Sequence, residues 1–350
     1  MKKVKVGILG ATGMVGQRFI ELLENHPWFE VSALAASERS AGKCYREAIA
    51  GRWKLESSIP SAIGALEVTE CVPELDCTLV FSALDASIAE PVEQAFAKAG
   101  YVVSSNSRNH RMEKDVPLLI PEVNGDHLAI VTEQKKRRQW KGFIVTNPNC
   151  STIGLVLALA PLHKKFTLKK IMVTTFQALS GAGYPGVASM DIIDNVIPYI
   201  GGEEMKMETE PQKILGRLKN NQFVMADIAI SASCNRVGVS NGHLESVSIE
   251  LEKKPSLDEL MDALREFNPL AGLNLPSAPS QPIVLREEND RPQPRYDRNE
   301  GNGMACVAGR IRECPILDWK MSVLSHNTIR GAAGAAILNA EYMKVKGLVG

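Results

Sequence analysis

Residues 4–16 read VKVGILGATGMVG, an apolar run that passes directly into a glycine-rich turn. The run from Val4 to Leu9 predicts a buried β-strand, and the residues after the turn predict a helix. Glycines at positions 10, 13 and 16 have the spacing that lets backbone amides at a helix N-terminus approach a pyrophosphate. A tight turn without a ligand is the alternative, but its place between strand and helix favours nucleotide binding. The predicted contacts are Gly10, Thr12, Gly13, Met14, Val15 and Gly16.

The patterns that follow this turn indicate a chain of two parts. Apolar strand patterns recur at 31–35, 78–81, 101–103 and 143–145, with helical stretches near 14–25 and 87–99. Strands that alternate with helices predict a parallel, doubly wound sheet. After residue 150, strand patterns occur at 171–176, 223–229, 247–251 and 321–324 with longer connections. We therefore predict an α/β protein with a Rossmann-type dinucleotide-binding domain at 1–149 and a mixed α+β domain at 150–326. We expect a C-terminal helix within 327–350 to pack back on the first domain.

Composition restricts the class of protein and its partners. The 350 residues are 45% hydrophobic, and 40 Lys and Arg balance 40 Asp and Glu. A balanced charge gives no field that would attract nucleic acid or a membrane surface, so we expect small-molecule partners. The longest apolar run, Gly154 to Pro161, is much shorter than the ~20 residues that cross a bilayer. The basic start MKKVKVGILG is interpreted as a first strand and not as a signal peptide.

The cysteines indicate the redox compartment. There are seven, an odd number, at positions 44, 71, 77, 150, 234, 306 and 314. They form no paired framework and no metal-ligand spacing, so we expect reduced thiols, no metal and a cytoplasmic protein.

Three other segments have local patterns that indicate their structure. Ser256 and Glu259, after Pro255, have capping-box spacing and predict a structural helix. The basic run KKRRQWK at 135–141 is interpreted as a solvated surface loop, with a nucleic-acid patch as the weaker alternative. The proline-rich, charged stretch from Pro276 to Arg298 is interpreted as a surface arm or lid.

The end of the second strand favours NADP over NAD. It reads Ser37-Glu38-Arg39-Ser40 and has no acidic residue at its tip. An arginine between two hydroxyls suits a 2′-phosphate, whereas an acid would bind the ribose hydroxyls. Glu38 as a ribose ligand and Arg39 as an ordinary surface residue are the alternatives. We also place Ser82, which follows the strand pattern 78–81, at the cofactor.

Cys150 is the candidate nucleophile. It lies in Thr146-Asn147-Pro148-Asn149-Cys150-Ser151-Thr152, just before an apolar helical run. A helix N-terminus lowers the pKa of a thiol and exposes it. A buried structural cysteine is the usual alternative, but a polar strand-to-helix turn after a nucleotide-binding domain favours a nucleophile. Asn149 is a candidate oxyanion ligand beside the Cys150 amide, and Ser151 or Thr152 is a candidate helix cap.

His243 is the candidate proton-transfer partner of the thiol. It lies seven residues after Arg236 in a glycine-flanked segment, whereas His26 and His163 look like ordinary helix-end residues. Imidazole is the side chain most often used to move protons near neutral pH.

These motifs together resemble those of aspartate-semialdehyde dehydrogenases, particularly the branch found in archaea and fungi. The segments GATGMVGQRF, TNPNCSTIGL, FQALSGAG, ETEPQKIL and GHLES occur in the order and approximate spacing of that family. The resemblance covers essentially the whole chain.

The resemblance implies a role for each matching residue. Cys150 is similar to the thiolate nucleophile, His243 to the acid/base, Asn149 to its oxyanion neighbour and Gln177 to the residue that positions the thioester. Arg236 is similar to the ligand of the substrate α-carboxylate and Glu210 to that of the α-ammonium. Arg111 and Lys213 are similar to a phosphate-binding pair, with helix-surface charge as the alternative. Ser180, Gly181 and Asn327 are similar to contacts of the cofactor.

The resemblance also implies a reaction. It is the NADPH-dependent reductive dephosphorylation of 4-phospho-L-aspartate to L-aspartate 4-semialdehyde through a Cys150 thioester, a step that supplies lysine, threonine and methionine biosynthesis. A homodimer or homotetramer built through the second domain is expected. Alternatives are an acyl-CoA reductase on the same framework, such as one for malonyl-CoA, and a noncatalytic nucleotide-binding protein. N-acetylglutamyl-phosphate reductase is less favoured because acetylation removes the ammonium charge.

Overall fold

The computed structural model describes residues 2–350. A first sheet of six parallel strands has the order β3-β2-β1-β4-β5-β6. Its strands are β1 Val4–Leu9, β2 Phe29–Ala36, β3 Val68–Glu70, β4 Leu79–Ser82, β5 Val102–Ser105 and β6 Phe143–Thr146. This order places a reversal between β1 and β4, where doubly wound sheets bind their ligands.

A second, mixed sheet of six strands has the order β10-β7-β11-β14-β13-β12. Its strands are β7 Leu168–Gln177, β10 Ala229–Arg236, β11 His243–Leu251, β12 Ile283–Arg286, β13 Cys306–Glu313 and β14 Trp319–Ser325. A separate hairpin contains β8 Arg217–Lys219 and β9 Gln222–Val224. The parallel sheet followed by a mixed sheet confirms the predicted fold class.

Twelve α-helices connect and cover these sheets in residues 2–350. They are α1 Met14–Leu23, α2 Tyr45–Ala48, α3 Ser61–Gly64, α4 Ala86–Ala99, α5 Pro121–Asn124, α6 Val131–Arg138, α7 Cys150–Phe166, α8 Ser189–Ile192, α9 Glu203–Ile214, α10 Leu257–Arg265, α11 Pro294–Asp297 and α12 Gly334–Val345. Short 3-10 turns occupy Gly125–Ile130, Leu179–Ala182 and Glu300–Gly303, and a π-helical turn occupies Ile329–Ala333. No helix within the described residues is both long and apolar enough to span a membrane.

The first domain's core lies between its sheet and the helices beside it. Phe19 of α1 stacks on Phe81 of β4 with ring centroids 4.8 Å apart. The C-terminal helix α12 belongs to the same core, because Ile337 and Met343 are buried in the cluster that contains Phe19. His26 Nε2 and Glu341 Oε1, 2.9 Å apart, connect α12 to the loop before β2. The chain therefore returns from the second sheet to finish the first domain.

The second sheet is covered on only one face. Along β7 the residues alternate between buried and accessible, and α7 packs on the buried side. Met172 and Phe176 on the other side are 53% and 36% exposed. Further exposed apolar residues lie in the segments that follow β7: Tyr184, Met190, Ile193, Val196, Tyr199 and Met205. An apolar surface of this extent is typical of a protein interface.

Two local predictions about strands and loops were wrong. The predicted strand at 223–229 is divided between β9, which belongs to a hairpin closed by Asn220 and Asn221 at positive φ, and β10; between them the Ala226 N–H donates to the Gln212 carbonyl of α9 and not to a strand. The basic segment at 135–141 is helical as far as Arg138. Glu, Gln, Lys and Arg favour a helix, and four cations in its last turn interact favourably with the helix dipole.

The stretch 276–298 is integrated into the fold and is not a free arm. Its residues 283–286 form β12, which pairs in parallel with β13 at the edge of the second sheet. Asp297 is fully buried and accepts hydrogen bonds from Arg286 and Arg291. The prolines and charges of this stretch suggested an exposed lid, but its charged residues pair with one another. The predicted capping box of α10 is confirmed, with Ser256 Oγ and Glu259 bonded reciprocally.

Candidate active site

Cys150 is held at the first turn of α7, directly beyond the end of β6. Asn149 is the N-cap residue, and its Oδ1 accepts hydrogen bonds from the backbone N–H groups of Ser151 at 3.0 Å and Thr152 at 3.3 Å. The cap is therefore Asn149 and not Ser151 or Thr152 as expected. Its Nδ2 is also engaged, since it donates to Glu203 Oε2 at 2.8 Å. The Asn149 side chain thus orients the nucleophile's helix, and because its NH₂ group has a second N–H donor, the oxyanion contact stays a prediction.

The structure brings Cys150 and His243 together across 93 residues of chain. Cys150 Sγ lies 3.2 Å from His243 Nε2. The backbone N–H of Ala178 donates to His243 Nδ1 at 3.0 Å. Because a backbone amide can only donate, the Nδ1 atom accepts and the neutral ring carries its proton on Nε2. His243 is therefore oriented to donate a hydrogen bond to the sulfur.

The register of the second sheet aligns the residues around this pair. Arg236 of β10 is paired with Gln177 of β7, and Ser325 of β14 with His243. Because β7 and β11 are antiparallel and Leu244 is paired with Phe176, the next position brings Gln177 of β7 opposite His243 of β11. Directly paired residues point to the same face of a sheet, which is the face covered by α7. Four strands thus present Arg236, Gln177, His243 and Ser325 in one row.

Burial keeps the thiol and the imidazole neutral in the free protein. Burial, together with the Glu203 charge, raises the pKa of Cys150 to about 12 against the opposing effect of three cations, Arg111, Lys206 and Arg236. Burial also lowers the pKa of His243 to about 3, aided by Arg236 and His326. A thiolate at Cys150 thus depends on the three cations and on the hydrogen bond from His243.

Glu203 and Lys206, which the sequence reasoning did not select, lie at this site. Glu203 accepts from Gln177 Nε2 at 3.4 Å in addition to its contact with Asn149, and its other oxygen pairs with Lys206. Burial disfavours the Glu203 carboxylate, but the Lys206 charge and the donated hydrogen bonds outweigh burial and lower its pKa. The side chain of Lys206 is 17% exposed and has this single ion pair among the described residues. Its remaining N–H donors can face a ligand.

Arg111 combines fixed contacts with free donors. Its Nη1 donates to Glu210 at 2.9 Å and its Nη2 to the Asn106 carbonyl at 2.9 Å. Its Nε is buried without a hydrogen-bond partner in residues 2–350. Buried donors without partners are costly, and a guanidinium has five N–H groups, so the free ones suit an anion such as phosphate. This arrangement supports the phosphate role expected for Arg111.

The positions of Lys213 and Glu210 correct two expected roles. Lys213 Nζ donates to the carbonyls of Arg111, Glu113 and Val116 at 2.7, 2.8 and 2.7 Å. All three ammonium donors are used, so Lys213 has none for phosphate. Both oxygens of Glu210 are also used, by Arg111 and by the Asn149 backbone N–H. Lys213 is therefore not free to bind phosphate, and the Glu210 side chain, 2% exposed against 9% for Glu203, is the less accessible of the two carboxylates.

The glycine turn after β1 fits a dinucleotide. Gly10 has φ of +77°, and a Cβ there would lie 2.7 Å from the Ala83 carbonyl oxygen. Only glycine allows this turn against the end of β4, where Ser82 pairs with Leu9. Gly13 is the N-cap of α1 and provides no side-chain cap, so the first-turn N–H groups are left for a pyrophosphate. Thr12, Met14, Val15 and Gly16 lie in the same turn and the start of α1.

The turn after β2 carries two cations at the same edge of the sheet. Ser37 and Arg39 are exposed and Ser40 is buried. Lys43 Nζ donates to the Arg39 carbonyl at 2.9 Å, which places a second, unpredicted cation at this turn. The pair suits a 2′-phosphate. Among residues 2–350, no group of three or more His, Cys, Asp or Glu side chains is arranged to hold a metal ion.

Ser180, Gly181 and Asn327 are brought together beside His243. Asn327 Nδ2 donates to Ser180 Oγ at 2.8 Å, and Asn327 Oδ1 accepts from the Gly242 backbone N–H at 2.8 Å. Asn327 therefore fixes the Ser180 loop to the residue before His243. A Cβ added at Gly181 would lie 3.0 Å from Arg236 Nη1 and 3.2 Å from His243 Cε1.

We expect Gly181→Ala to lower kcat/KM by about 10²-fold, because the methyl group displaces Arg236 and His243 and small misplacements at a site have effects of this size. Steady-state kinetics and a thermal melt measure the two consequences, loss of activity and retained folding. Gly201→Ala is the matched control, since a Cβ there meets only Tyr199 Oη at 4.0 Å. Equal kinetics in both variants would show that the loop does not touch the site.

Gly331 also contacts Cys150, and the sequence analysis did not identify this contact. A Cβ at Gly331 would lie 2.9 Å from Cys150 Cβ, so the π-helical turn packs directly on the nucleophile. π-helical turns occur frequently at functional sites. The run Gly331-Ala332-Ala333-Gly334 was the available signal, because small residues permit close packing of this kind.

Comparison with known proteins identifies the family of this chain. Residues 5–131 match the NAD binding domain of semialdehyde dehydrogenases, and residues 159–330 match their dimerisation domain. The chain is 52% identical to an aspartate-semialdehyde dehydrogenase of Archaeoglobus fulgidus, over 97% of this chain and 98% of the relative. It is 48% identical to that of Candida albicans over the full length of both chains. The crystal structure of the Candida albicans enzyme with NADP is similar, with a TM-score of 0.92 at 46% identity, and covers 99% of this chain and 100% of that one. The chain belongs to the aspartate-semialdehyde dehydrogenase family.

Proposed function

We propose that this protein is an NADP-dependent aspartate-semialdehyde dehydrogenase that interconverts 4-phospho-L-aspartate and L-aspartate 4-semialdehyde. The observation that carries the proposal is the 3.2 Å contact of Cys150 Sγ with His243 Nε2. Three cations, Arg111, Lys206 and Arg236, contribute positive charge at Cys150. The substrate has two anionic groups, a carboxylate and a phosphate, and three cations suit it.

The substrate's two ends are assigned to different residues. Arg236 binds the α-carboxylate, since its Nη1 is anchored on the Ala178 carbonyl at 2.6 Å and its other donors are available. Glu203 carries a negative charge and binds the α-ammonium. Arg111 and Lys206 bind the phosphate. Glu203 and Lys206 replace Glu210 and Lys213 of the sequence-based assignment.

The protein's contribution to the chemistry follows from these positions. The Cys150 thiolate attacks the β-carbonyl carbon of the acyl phosphate, the C–O bond to phosphate breaks, and a thioester forms. Phosphate leaves as an anion held by Arg111 and Lys206. NADPH, held by the glycine turn after β1 and the cations after β2, would supply the hydride that reduces the thioester carbon, and Gln177 and His243 line the space around that carbon. The tetrahedral oxyanion then reforms a carbonyl and releases the Cys150 thiolate.

This sequence requires no proton from His243. One proton is consumed per turnover: the proton that Cys150 loses leaves with phosphate as HPO₄²⁻, and the thiolate regenerated with the aldehyde takes up a proton from solvent. His243, with its proton on Nε2, stabilises the thiolate and the oxyanion by donating a hydrogen bond. The acid/base role that the resemblance implies for His243 stays a prediction beside this hydrogen-bonding role.

The assay of first choice follows NADPH formation with L-aspartate 4-semialdehyde, phosphate and NADP. We expect activity that requires phosphate and decreases when NAD replaces NADP, because Arg39 and Lys43 suit the 2′-phosphate. The alternative substrate class is an acyl-CoA, which the same thiol could attack. Activity with malonate semialdehyde and coenzyme A, and none with aspartate semialdehyde and phosphate, would contradict the proposal.

We expect Lys206→Met to raise the KM for phosphate by about 10- to 100-fold, because one charge-assisted hydrogen bond to phosphate is lost. Lys206→Arg retains the charge and is expected to recover most of the loss. Lys219→Met is the control, since Lys219 is exposed on β8. An unchanged phosphate KM in Lys206→Met would remove Lys206 from the phosphate site.

We further propose a homodimer formed through the uncovered face of the second sheet. The exposed Met172 and Phe176 of β7 support this interface, and the matched dimerisation domain covers the same region. We expect Met172→Asp to give monomers in analytical ultracentrifugation while the wild type sediments as a dimer; a dimeric variant would exclude this face. A cytoplasmic location is proposed from the seven unpaired cysteines.

A further inference from the structure

Two residues of α9 hold Arg111 from different sides. Glu210 Oε1 accepts from the Arg111 guanidinium at 2.9 Å, and Lys213 Nζ donates to the Arg111 backbone carbonyl at 2.7 Å. Glu210 and Lys213 are three residues apart and therefore lie on the same face of the helix. The helix thus fixes both the head group and the backbone of Arg111.

Glu210 also contacts the turn that carries the nucleophile. Its Oε2 accepts from the Asn149 backbone N–H at 2.7 Å, and Asn149 caps the helix that begins with Cys150. Glu210 is only 2% exposed, so this bridge is shielded from water. One buried carboxylate therefore connects the arginine beside the phosphate position to the residue before the nucleophile.

We propose that Glu210 is a positioning residue that sets the distance between Arg111 and Cys150, with Lys213 securing the same loop through its backbone. The inference rests on the proposed function, because phosphate is the ligand assigned to Arg111. Glu210 and the Asn106 carbonyl engage one N–H of each Nη atom. The second N–H of each Nη atom is thereby left for the anion.

A positioning role and a purely electrostatic role of Glu210 predict opposite changes in the KM for phosphate in Glu210→Gln. Removal of a negative charge makes the site more positive, so a purely electrostatic role predicts a lower KM for phosphate. Loss of the anchor predicts a higher KM, because one amide oxygen cannot accept from both Arg111 and Asn149, and the amide NH₂ faces a donor. A role in binding the α-ammonium predicts a selective rise in the KM for aspartate semialdehyde.

The decisive experiment measures steady-state kinetics of Glu210→Gln, Arg111→Met and the double variant. We expect Glu210→Gln to raise the phosphate KM about tenfold, with the aspartate semialdehyde KM within about twofold of wild type. In the Arg111→Met background we expect no further effect of Glu210→Gln on the phosphate KM. Additive effects in the double variant, a lower phosphate KM or a selective semialdehyde effect would each overturn the proposal.

Two further variants test whether the effect of Glu210→Gln comes from misfolding. Glu210→Asp retains the charge with a shorter side chain, so we expect a smaller rise in phosphate KM than for Glu210→Gln. Glu208→Gln is the matched control on the same helix, because its amide oxygen still accepts from the Ala232 N–H that Glu208 now binds at 3.1 Å. We expect wild-type kinetics and melting for the control. Equal losses for Glu208→Gln and Glu210→Gln would overturn the proposal.

A readout that does not need turnover separates this inference from the proposed function. Phosphate is titrated against the rate of Cys150 alkylation by iodoacetamide, and the half-protecting concentration is determined. We expect that concentration to rise about tenfold in Glu210→Gln, in parallel with the phosphate KM. If phosphate protects the wild type, the half-protecting concentration rises in Glu210→Gln, and the wild type nevertheless lacks dehydrogenase activity, the proposed reaction is refuted but the positioning role of Glu210 is upheld. No protection of the wild type by phosphate would overturn the inference.

Discussion

Cys150→Ala is expected to lose turnover by about 10⁴- to 10⁶-fold while NADP binding is unchanged, because without the sulfur no thioester can form. The substrate cations and the glycine turn remain in place, so the remaining protein still binds both ligands. Steady-state kinetics in both directions measure the loss, and isothermal titration calorimetry measures the NADP affinity. Mass spectrometry of the wild type quenched with aspartate semialdehyde and NADP, without phosphate, is expected to locate an acyl adduct on Cys150.

Cys314→Ala is the matched control for this experiment. Cys314 lies in the connection between β13 and β14 and has no contact with Cys150 or His243 in the described structure. We expect wild-type kinetics for this variant. A Cys150→Ala protein that retained a substantial part of wild-type turnover would refute the covalent mechanism.

Arg330→Met is expected to lower the free energy of unfolding by about 3–5 kcal/mol. Arg330 is fully buried and forms a bidentate ion pair with Glu122, with N–O distances of 2.7 and 2.9 Å. Its removal leaves the Glu122 carboxylate buried without its counter-charge, which is more costly than loss of the pair itself. Urea denaturation followed by circular dichroism measures the change. Activity is also expected to fall, because Gly331, the next residue, packs on Cys150.

The double variant Arg330→Met/Glu122→Leu tests the physical reason. Replacement of both partners by apolar side chains removes the unpaired charge, so we expect most of the lost stability to return. A double variant as unstable as Arg330→Met would mean that the loss comes from packing and not from the isolated carboxylate.

Local patterns in the sequence were sufficient for the fold class, the glycine turn and the nucleophile. The alternation of strands and helices predicts the parallel sheet, because one face or two faces of each strand must be buried. Asn149-Cys150 was identified because a polar turn between a buried strand and an apolar helix is an unusual environment for a cysteine. These patterns did not determine the strand bounds, as at 223–229, where two asparagines with positive φ form a hairpin that apolar content alone does not reveal.

The substrate-binding residues of α9 show the limit of such patterns. The helix contains two Glu-x-x-Lys units, Glu203 to Lys206 and Glu210 to Lys213, and the second unit begins seven residues after the first. Seven residues are close to two helical turns, so both units lie on the same face and are indistinguishable in sequence. Only the packing of α9 against α7 and the 106–116 loop determines that the first unit contacts Asn149 and Gln177 and that the second holds Arg111.

The sequence by itself therefore predicted the local chemistry: the strand-turn-helix for a dinucleotide, the thiol at a helix start, and the histidine and arginine seven residues apart. The tertiary structure decided the contacts between distant segments. These include the tautomer of His243, which depends on the Ala178 backbone N–H, and the packing of Gly331 on Cys150. The physical reason is that periodicity reports which face of an element is buried, whereas which turn of that face meets which partner depends on how the elements pack together.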